Sequence, residues 1–277
     1  MRPLLVVDGD SFAHRAYHAL PSSLRRENGR PGNALIGFTD MLLRLVKAET
    51  PRTVLVAWDT LDTPTYRHLA LEAYQSGRVF DDELLEQLDL LPDLVRSIGF
   101  VAAKEPGYEA DDFLAAAATA EEVAGGVALV ATSDRDAFQL VTDRVTVLQP
   151  ARGAPPNRID PAAVRARYGV EPAQVPDFIA LRGDPSDRIP GARGIGEKRA
   201  AELLARHGSL DALLDEGRFA AEADALRLYR RIATMDRTAP LPELPDATPD
   251  WPGGAAYARE LGLPQVARRL EEALQWT

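Results

Sequence analysis

Three short apolar runs in this chain lead directly, or almost directly, into an aspartate. The runs are 4–7 (LLVV), 54–58 (VLVAW) and 127–131 (VALVA). Valine-rich runs of this length, without polar alternation, are typical of strands that are buried on both faces of a parallel sheet. Asp8 and Asp59 follow the first two runs, and Asp134 and Asp136 follow the third. Because parallel strands end at one edge of their sheet, where open α/β folds bind ligands, we expect these acids to converge there.

The stretches between and after these runs have the apolar spacing of helices. In the first part of the chain, helices are predicted at 34–48, 83–98 and 111–123, and a fourth strand at 145–148. Alternating strands and helices predict an α/β fold with a parallel sheet. After a loop at 151–160, helices are predicted at 161–168, 172–182, 197–206 and, beyond a proline-rich segment, 255–274. We therefore expect an α/β core at 1–155, a helical module at 156–240, and a C-terminal linker and helix at 241–277 that pack on the core.

Two further groups of acids join those at the strand ends. Glu109, Asp111 and Asp112 open an alanine-rich helix, and Asp184 and Asp187 lie in the loop RGDPSDRIPG. A single aspartate in such a place is usually a cap or a turn former, but many carboxylates together raise each other's pKa unless cations neutralise them. Oxygen ligands of this kind select Mg²⁺ or Mn²⁺, and two such ions about 3.5 to 4 Å apart can hold both oxygens of an in-line displacement at phosphorus. The acids therefore predict metal-assisted hydrolysis of a phosphodiester or a phosphomonoester.

A glycine-rich turn opens the helix predicted at 197–206. Gly191, Gly194 and Gly196 precede Lys198 and Arg199 in the sequence RIPGARGIGEKR. Backbone N–H groups at a helix N-terminus, free of side chains, are suited to bind a DNA phosphate. The order of the glycines and the lack of a preceding strand exclude the dinucleotide-binding fingerprint. A plain turn between packed helices is the alternative reading.

The charge of the chain is uneven along its length. The net charge of −10 would by itself argue against a polyanionic partner. Twelve Asp or Glu residues lie in 81–122 against two basic residues, whereas 158–206 holds nine Lys or Arg against seven acids. The stretch 158–206 is therefore mildly basic although the whole chain is acidic.

Several classes of site and location are excluded or disfavoured by composition. Cysteine is absent, which excludes disulfide bonds, thiolate zinc sites and a cysteine nucleophile. The first apolar run is too short for a signal peptide, and no stretch approaches the roughly 18 apolar residues of a membrane span. We expect a cytoplasmic protein without membrane contact. The histidines have neither metal-ligand nor triad spacing and are expected to be structural or exposed: His14, His18, His68 and His207.

Five motifs in order, VVDGD, AWD, GYEADD, TSDRDAFQL and RGDPSDRIPGARGIGEK, resemble those of the bacterial 5′-3′ exonuclease and flap endonuclease family, which includes the 5′ nuclease domain of DNA polymerase I. The match runs from Leu4 to about Leu214, and no polymerase sequence follows it, so a stand-alone member is expected. The resemblance implies a PIN-like 5′ nuclease core, a helical clamp at about 62–92 and a helix-hairpin-helix that grips duplex DNA, with K⁺ as a candidate ligand. It implies metal-binding roles for Asp8, Asp59, Glu109, Asp111, Asp112, Asp134, Asp136, Asp184 and Asp187. It implies DNA-binding roles for Gly191, Gly194, Gly196, Lys198 and Arg199.

The stretch 65–78, TYRHLALEAYQSGR, resembles the clamp of the family, past which the 5′ strand runs. Arg67, Tyr74 and Arg78 match its functional positions. The expected roles are stacking of Tyr74 on an unpaired base and neutralisation of the scissile phosphate by Arg78. A solvated helix face with one buried tyrosine is the alternative.

Two residues depart from the pattern of the family. Gln75 stands where a lysine usually follows the clamp tyrosine, and Arg188 stands where an asparagine usually follows the last acid. Loss of one electrostatic contact to the reacting phosphate could lower the rate about 10²- to 10³-fold. Arg188 is either an added phosphate contact or surface variation. The replacement of the lysine by Gln75 affects the expected rate of cleavage, not the fold or metal binding.

Three functions are compatible with these features. The first is a metal-dependent, structure-specific 5′ nuclease that acts as a monomer on DNA with a 5′ flap, nick or gap in replication or repair, associated with the nucleoid. The second is a flap- or gap-binding protein that cuts poorly, because of Gln75. The third is a phosphatase of the haloacid dehalogenase type, since VVDGDS contains its D-x-D pattern. The third requires Asp8 as a covalent nucleophile and gives no reason for the glycine-rich turn.

Overall fold

The computed structural model describes residues 1–77 and 80–276, with a six-stranded sheet at its centre. The strands are β1 (Leu4–Asp8), β2 (Thr53–Ala57), β3 (Val101–Ala103), β4 (Ala128–Ala131), β5 (Val145–Gln149) and β6 (Asn157–Ile159). Their order across the sheet is β3-β2-β1-β4-β5-β6. The first five run parallel, and β6 runs antiparallel to β5. The predicted α/β fold with a parallel sheet is confirmed.

The three strands that lead into acids lie side by side in the middle of the sheet. Every residue of β1, β2 and β4 is buried. Asp8 at the end of β1 pairs in register with Ala57, and Val7 pairs with Ala131. The carboxyl ends of these strands therefore meet at one edge, as the sequence predicts.

The sheet has two strands that were not expected. Each has only three residues and is partly exposed: β3 is a short apolar run, and β6 (NRI) is mostly polar. β6 lies beyond residue 155, the expected end of the core, and pairs with β5. The sheet thus extends into the segment assigned to the helical module.

Twelve α-helices surround the sheet in the described parts of the chain. They are α1 (Gly9–Ala19), α2 (Asn33–Glu49), α3 (Tyr66–Ala70), α4 (Asp82–Ser97), α5 (Ala110–Val123), α6 (Pro161–Tyr168), α7 (Val175–Arg182), α8 (Glu197–His207), α9 (Leu210–Asp215), α10 (Ala223–Ala233), α11 (Trp251–Glu260) and α12 (Pro264–Ala273). The helices predicted at 34–48, 83–98, 111–123, 161–168 and 197–206 are confirmed to within one residue at each end. None of the helices described is long and apolar enough to span a membrane.

Two predicted helices differ from the structure. The stretch 172–182 begins as a 3₁₀ turn, Pro172–Gln174, before α7. The stretch 255–274 forms two helices rather than one. Gly262 has a left-handed φ of 73°, and Pro264 opens the next helix, where its missing N–H costs nothing. These residues end α11 and start α12.

The alternation of side chains along the strands divides the core between the two faces of the sheet. Leu4 and Val6 face a core that includes α5 and continues into the helical module. Leu5 and Val7 face a second core built with α1, α2, α4, α11 and α12. Both the helical module and the C-terminal helices are thereby packed against the sheet, and the carboxyl edge lies between the two layers.

Candidate active site

A cleft of about 890 Å³ opens at the carboxyl edge of the sheet. Eight of the nine acids assigned to metal binding line it, namely Asp8, Asp59, Glu109, Asp111, Asp134, Asp136, Asp184 and Asp187. Five separate segments of the chain bring them there: the end of β1, the end of β2, the start of α5, the turn after β4, and the loop after α7. The convergence expected from the strand pattern is therefore present.

Asp8 is fixed at the junction of β1 and α1. One carboxylate oxygen accepts the backbone N–H of Ser11 at 2.9 Å, so that Asp8 caps α1, and the other accepts the hydroxyl of Thr132 at 2.6 Å. The side chain is buried, with 6% of the residue exposed. Its hydrogen bonds hold it against the neighbouring strand end, and it cannot swing away from the cleft without losing them.

Asp10 is a cleft acid that was not assigned a role from the sequence. Its Oδ2 accepts the backbone N–H of Asp59 at 2.7 Å, and Oδ1 of Asp59 accepts the backbone N–H of Ala110 at 2.7 Å. These bonds connect α1, the end of β2 and the start of α5. In the sequence, Asp10 is distinguished by its position two residues after Asp8. This D-x-D pattern was interpreted only as a phosphatase motif.

Burial and mutual repulsion raise the pKa of several carboxyl groups in the cleft. Burial raises the pKa of Asp8 to about 7, and the nearby charges of Asp59 and Asp134 act in the same direction. Burial, followed by neighbouring carboxylates, also raises the pKa of Asp10, Asp111 and Asp136. Carboxylates in such a setting are stabilised in their charged form by a bound cation. The cluster is therefore suited to hold cations.

The donor set of the cleft fits hard divalent cations. Its side-chain donors are carboxylate oxygens, and these hard ligands suit small divalent cations. Across residues 1–77 and 80–276, no three His, Asp or Glu side chains form a ready-made metal cage. Mg²⁺ needs none, because it keeps several waters and binds through one or two carboxylates together with substrate phosphates.

The acids beyond the central strands belong to two tight turns. The backbone N–H of Asp136 donates to Oδ1 of Asp134 at 2.8 Å. Asp184 and Ile189 exchange two backbone hydrogen bonds of 2.8 Å, which closes the loop that carries Asp187. Arg182 donates to Oδ2 of Asp184 at 3.2 Å, so a cation already contacts this part of the cluster.

Asp112 lies outside the cleft. It is fully buried, and its carboxylate accepts two hydrogen bonds from Arg67, at 2.7 and 2.8 Å. It also accepts the backbone N–H of Glu109 at 3.1 Å and that of Asp236 at 2.8 Å. Its carboxylate oxygens thus pair with Arg67 and with backbone N–H groups in this structure, and the metal-binding role of Asp112 stays a prediction.

The clamp residues are likewise engaged inside the protein. Arg67 is 3% exposed, and besides its pair with Asp112 it donates to the carbonyl of Ile232 at 3.0 Å. Tyr74 is 4% exposed, and its hydroxyl donates to Oε2 of Glu109 at 3.0 Å. Both side chains are buried in this structure, and their expected contacts with DNA stay predictions. Of the alternative, a solvated helix face with one buried tyrosine, the buried tyrosine is present. Arg78 lies outside the described residues.

Four aromatic side chains also line the cleft, namely His14, Tyr17, His18 and Phe80. The rings of His14 and Phe80 are 5.3 Å apart, and those of Tyr17 and His18 are also 5.3 Å apart, edge to face. His14 and His18, which were expected to be structural or exposed, thus line the cleft.

The glycine-rich turn has two kinds of glycine. Gly191 packs against the backbone, since a Cβ there would lie 2.4 Å from the nitrogen of Gly183. Gly194 and Gly196 have open space around them, and Gly196 is the N-cap of α8. Lys198, in the first turn of α8, borders a shallow depression between α6 and α8. Gly191 thus shapes the turn, while Gly194 and Gly196 leave the helix N-terminus accessible.

Two family models match the chain. The model "5′-3′ exonuclease, N-terminal resolvase-like domain" covers residues 3–169, and "5′-3′ exonuclease, C-terminal SAM fold" covers residues 170–250. DNA polymerase I of Mycobacterium tuberculosis is 41% identical over 255 residues, which cover 88% of this chain and 28% of the relative. Thermostable DNA polymerase I of Thermus thermophilus is 43% identical over 212 residues, covering 76% and 25%. The chain therefore spans about a quarter of the length of these relatives.

Solved structures of low identity share the fold. A T5 5′-exonuclease with bound zinc has a TM-score of 0.70 at 19% identity, over 98% of this chain and 99% of that one. The catalytic core of Rad2 in complex with a DNA substrate has a TM-score of 0.64 at 14% identity, over 99% and 92%. These matches agree with the resemblance seen in the five motifs and leave no support for a phosphatase of the haloacid dehalogenase type. The chain belongs to the 5′-3′ exonuclease family of nucleases.

Proposed function

We propose that this chain is a divalent-metal-dependent 5′ nuclease that hydrolyses DNA phosphodiesters at 5′ flaps, nicks, gaps or 5′ ends in replication or repair. The observation that carries the proposal is the convergence of eight predicted carboxylates on one cleft. The glycine-rich turn of the helical module supplies a second, phosphate-binding feature. The proposal includes a monomeric protein that acts at the nucleoid.

The residues proposed to hold the ions form two sets. The set at the sheet edge consists of Asp8, Asp10, Asp59, Glu109, Asp111 and Asp134, and the distal set consists of Asp136, Asp184 and Asp187. When bound, Mg²⁺ or Mn²⁺ would supply charge neutralisation and water activation for an in-line displacement at phosphorus. T5 5′-exonuclease, which shares the fold, is described with divalent metal ions bound. K⁺ at the glycine-rich turn remains part of the proposal.

The rest of the protein is proposed to position the DNA. The backbone N–H groups at the start of α8, with Lys198 and Arg199, hold the duplex backbone, and the clamp borders the path of the 5′ strand. Water displaces the 3′ oxygen of the scissile phosphate and leaves a 5′ phosphate. Arg78 remains the proposed contact to that phosphate. Asp112, Arg67 and Tyr74 are proposed to position the acids rather than to touch the substrate.

DNA binding should depend steeply on salt, because it would rest largely on phosphate contacts. The logarithm of the association constant falls linearly with the logarithm of the salt concentration, and each phosphate contact that is lost makes this slope shallower by about 0.9. We expect the double change Lys198→Ala with Arg199→Ala to lower this slope by about 2 and to weaken binding to all sequences alike. Fluorescence anisotropy with a labelled nicked duplex between low and moderate salt measures it.

The control for this titration is the double change Arg268→Ala with Arg269→Ala on α12, which packs in a different core from α8. It should leave the slope unchanged. An equal slope for wild type and the α8 variant would contradict the assignment of these two side chains to the duplex.

The alternative of a flap-binding protein that cuts poorly rests on Gln75. This residue lines the cleft and is neutral. We expect the wild-type protein to cut a 5′-labelled flap and a nicked duplex in Mg²⁺ or Mn²⁺, and Gln75→Lys to cut faster by up to about 10²-fold, because a cation near the reacting phosphate stabilises the transition state. If the wild type binds the flap and only Gln75→Lys cuts it, the binding alternative is the better description.

A further inference from the structure

Two loops that are far apart in sequence lie against each other at the mouth of the cleft. We call residues 71–77 the clamp turn and residues 184–189 the acid loop. Gln75 and Asp187, which are 112 positions apart, are joined by two hydrogen bonds. The acid loop carries two of the distal acids, so this contact bears on the geometry of the cleft.

Gln75 uses its amide to connect two acids. Its Nε2 donates to Oδ1 of Asp187 at 3.2 Å and to the hydroxyl of Tyr74 at 2.8 Å. That hydroxyl in turn donates to Glu109 at 3.0 Å. A glutamine amide has two donor hydrogens, and both are used here. The backbone N–H of Gln75 also donates to the carbonyl of Asp187, at 3.3 Å.

Arg188 makes the reciprocal contact from the acid loop to the clamp turn. Its Nη1 donates to the hydroxyl of Ser76 at 2.9 Å. A Cβ at Gly77 would lie 3.0 Å from Nη2 of Arg188, so the guanidinium rests against the backbone of the turn. Each loop therefore reaches the other with one long polar side chain.

Both residues hold a backbone conformation that side chains rarely adopt. Gln75 has φ 48° and Arg188 has φ 56°. Within the described residues only four non-glycine residues have a positive φ, and two of them are this pair. Such conformations persist where surrounding contacts over-determine them, and they cluster at functional sites.

We propose that Gln75 and Arg188 are positioning residues which join the clamp turn to the acid loop and thereby set the distal acids against Glu109. This inference rests on the proposed function for its catalytic consequence. Gln75 and Arg188 are the two departures from the family pattern. They form one structural feature, because the side chain of each contacts the loop that carries the other. Motion of the clamp turn and placement of Asp184 and Asp187 are then linked.

The test uses Gln75→Asn and Arg188→Asn in the full-length chain. Asparagine tolerates a positive φ, so these variants keep the backbone while the side chains become too short to cross. Hydrogen–deuterium exchange is followed in peptides that cover each loop, without metal. Gln265→Asn and Arg268→Asn on α12 are the matched controls.

Each substitution should loosen the loop that it does not belong to. We expect Arg188→Asn to raise exchange in the clamp turn, and Gln75→Asn to raise exchange in the acid loop, by about tenfold, with no change in the controls. Titration of Mn²⁺ by electron paramagnetic resonance should show weaker binding of one ion and unchanged binding of the other. Purely local roles would leave the opposite loop unaffected, and that result would overturn the proposal.

The exchange measurement also separates this inference from the proposed function. If the reciprocal loosening occurs but no cleavage is found with any divalent ion, the link between the loops stands and the nuclease proposal fails. If cleavage is normal and neither loop responds to the change in the other, the inference fails and the nuclease proposal stands.

Discussion

Asp134→Asn is expected to lower cleavage of a 5′-flap substrate by at least about 10³-fold, a loss of several kcal/mol of transition-state stabilisation. Asp134 lines the cleft, and its charge helps to raise the pKa of Asp8, Asp111 and Asp136. Asparagine keeps the oxygen that accepts the N–H of Asp136 but removes the negative charge that holds a cation. Single-turnover kinetics at saturating Mg²⁺ measures the loss.

The same substitution should stabilise the protein in the absence of divalent ions. Asp134 is itself exposed, but its charge repels the carboxylates of Asp8, Asp111 and Asp136, so removing it relieves the fold without metal. Strained active sites of this kind commonly reduce the stability of a protein. We therefore expect a higher Tm than wild type in a chelator, and a smaller rise in Tm when Mn²⁺ is added.

The control for both readouts is Asp143→Asn, an exposed acid outside the cleft. It should change neither cleavage nor the response to Mn²⁺. Cleavage by Asp134→Asn within tenfold of wild type would remove Asp134 from the proposed ligands.

Arg67→Ala is expected to lower the free energy of unfolding by about 3 to 5 kcal/mol, because it leaves a buried carboxylate without its partner. Asp112 is fully buried, and its carboxylate accepts hydrogen bonds from Nη1 and Nη2 of Arg67. Arg67 also ties α3 to the C-terminal end of α10, since it donates to the carbonyls of Ile232 and Thr234. Urea denaturation of the single and double alanine variants at the two positions measures the coupling.

The double variant should cost less than the sum of the two single variants, because neither charge is then left buried alone. Arg96→Ala is the comparison, since Arg96 pairs with Asp93 on the exposed face of α4 and its loss should cost at most about 1 kcal/mol. Strict additivity of the two alanine changes would mean that the buried pair has no net coupling.

The placement of Asp8, Asp59 and Asp134 could be predicted because it depends only on local pattern. Each follows an apolar run that is long enough to mark a buried strand, and parallel strands necessarily share a carboxyl edge. The glycine-rich turn was predictable for a similar reason, since accessible backbone at a helix start needs glycine.

Asp112 could not be placed correctly from its motif. It directly follows Asp111 on α5, and successive helical residues point about 100° apart, so one faces the cleft while the other faces the core. Only the contact with Arg67 in the folded protein shows that Asp112 is the acid that faces the core. The contact of Tyr74 could not be predicted from its motif either, because its hydroxyl donates to Glu109, 35 positions away along the chain.

The missed side of the cleft had a signal in the sequence. Asp10, His14, Tyr17 and His18 recur at the spacing of one helical face, and all line the cleft. The spacing gained meaning only when α1 was seen to begin directly after β1, because no helix had been predicted there.

The nuclease proposal is tested by single-turnover cleavage of a 5′-labelled flap by the wild-type protein with Mg²⁺, with Mn²⁺ and with a chelator. We expect cleavage near the junction of single and double strand with either ion, a 5′ phosphate on the shortened strand, and no cleavage with the chelator. Cleavage that persists in the chelator, or firm flap binding without any cleavage in either ion, would contradict it.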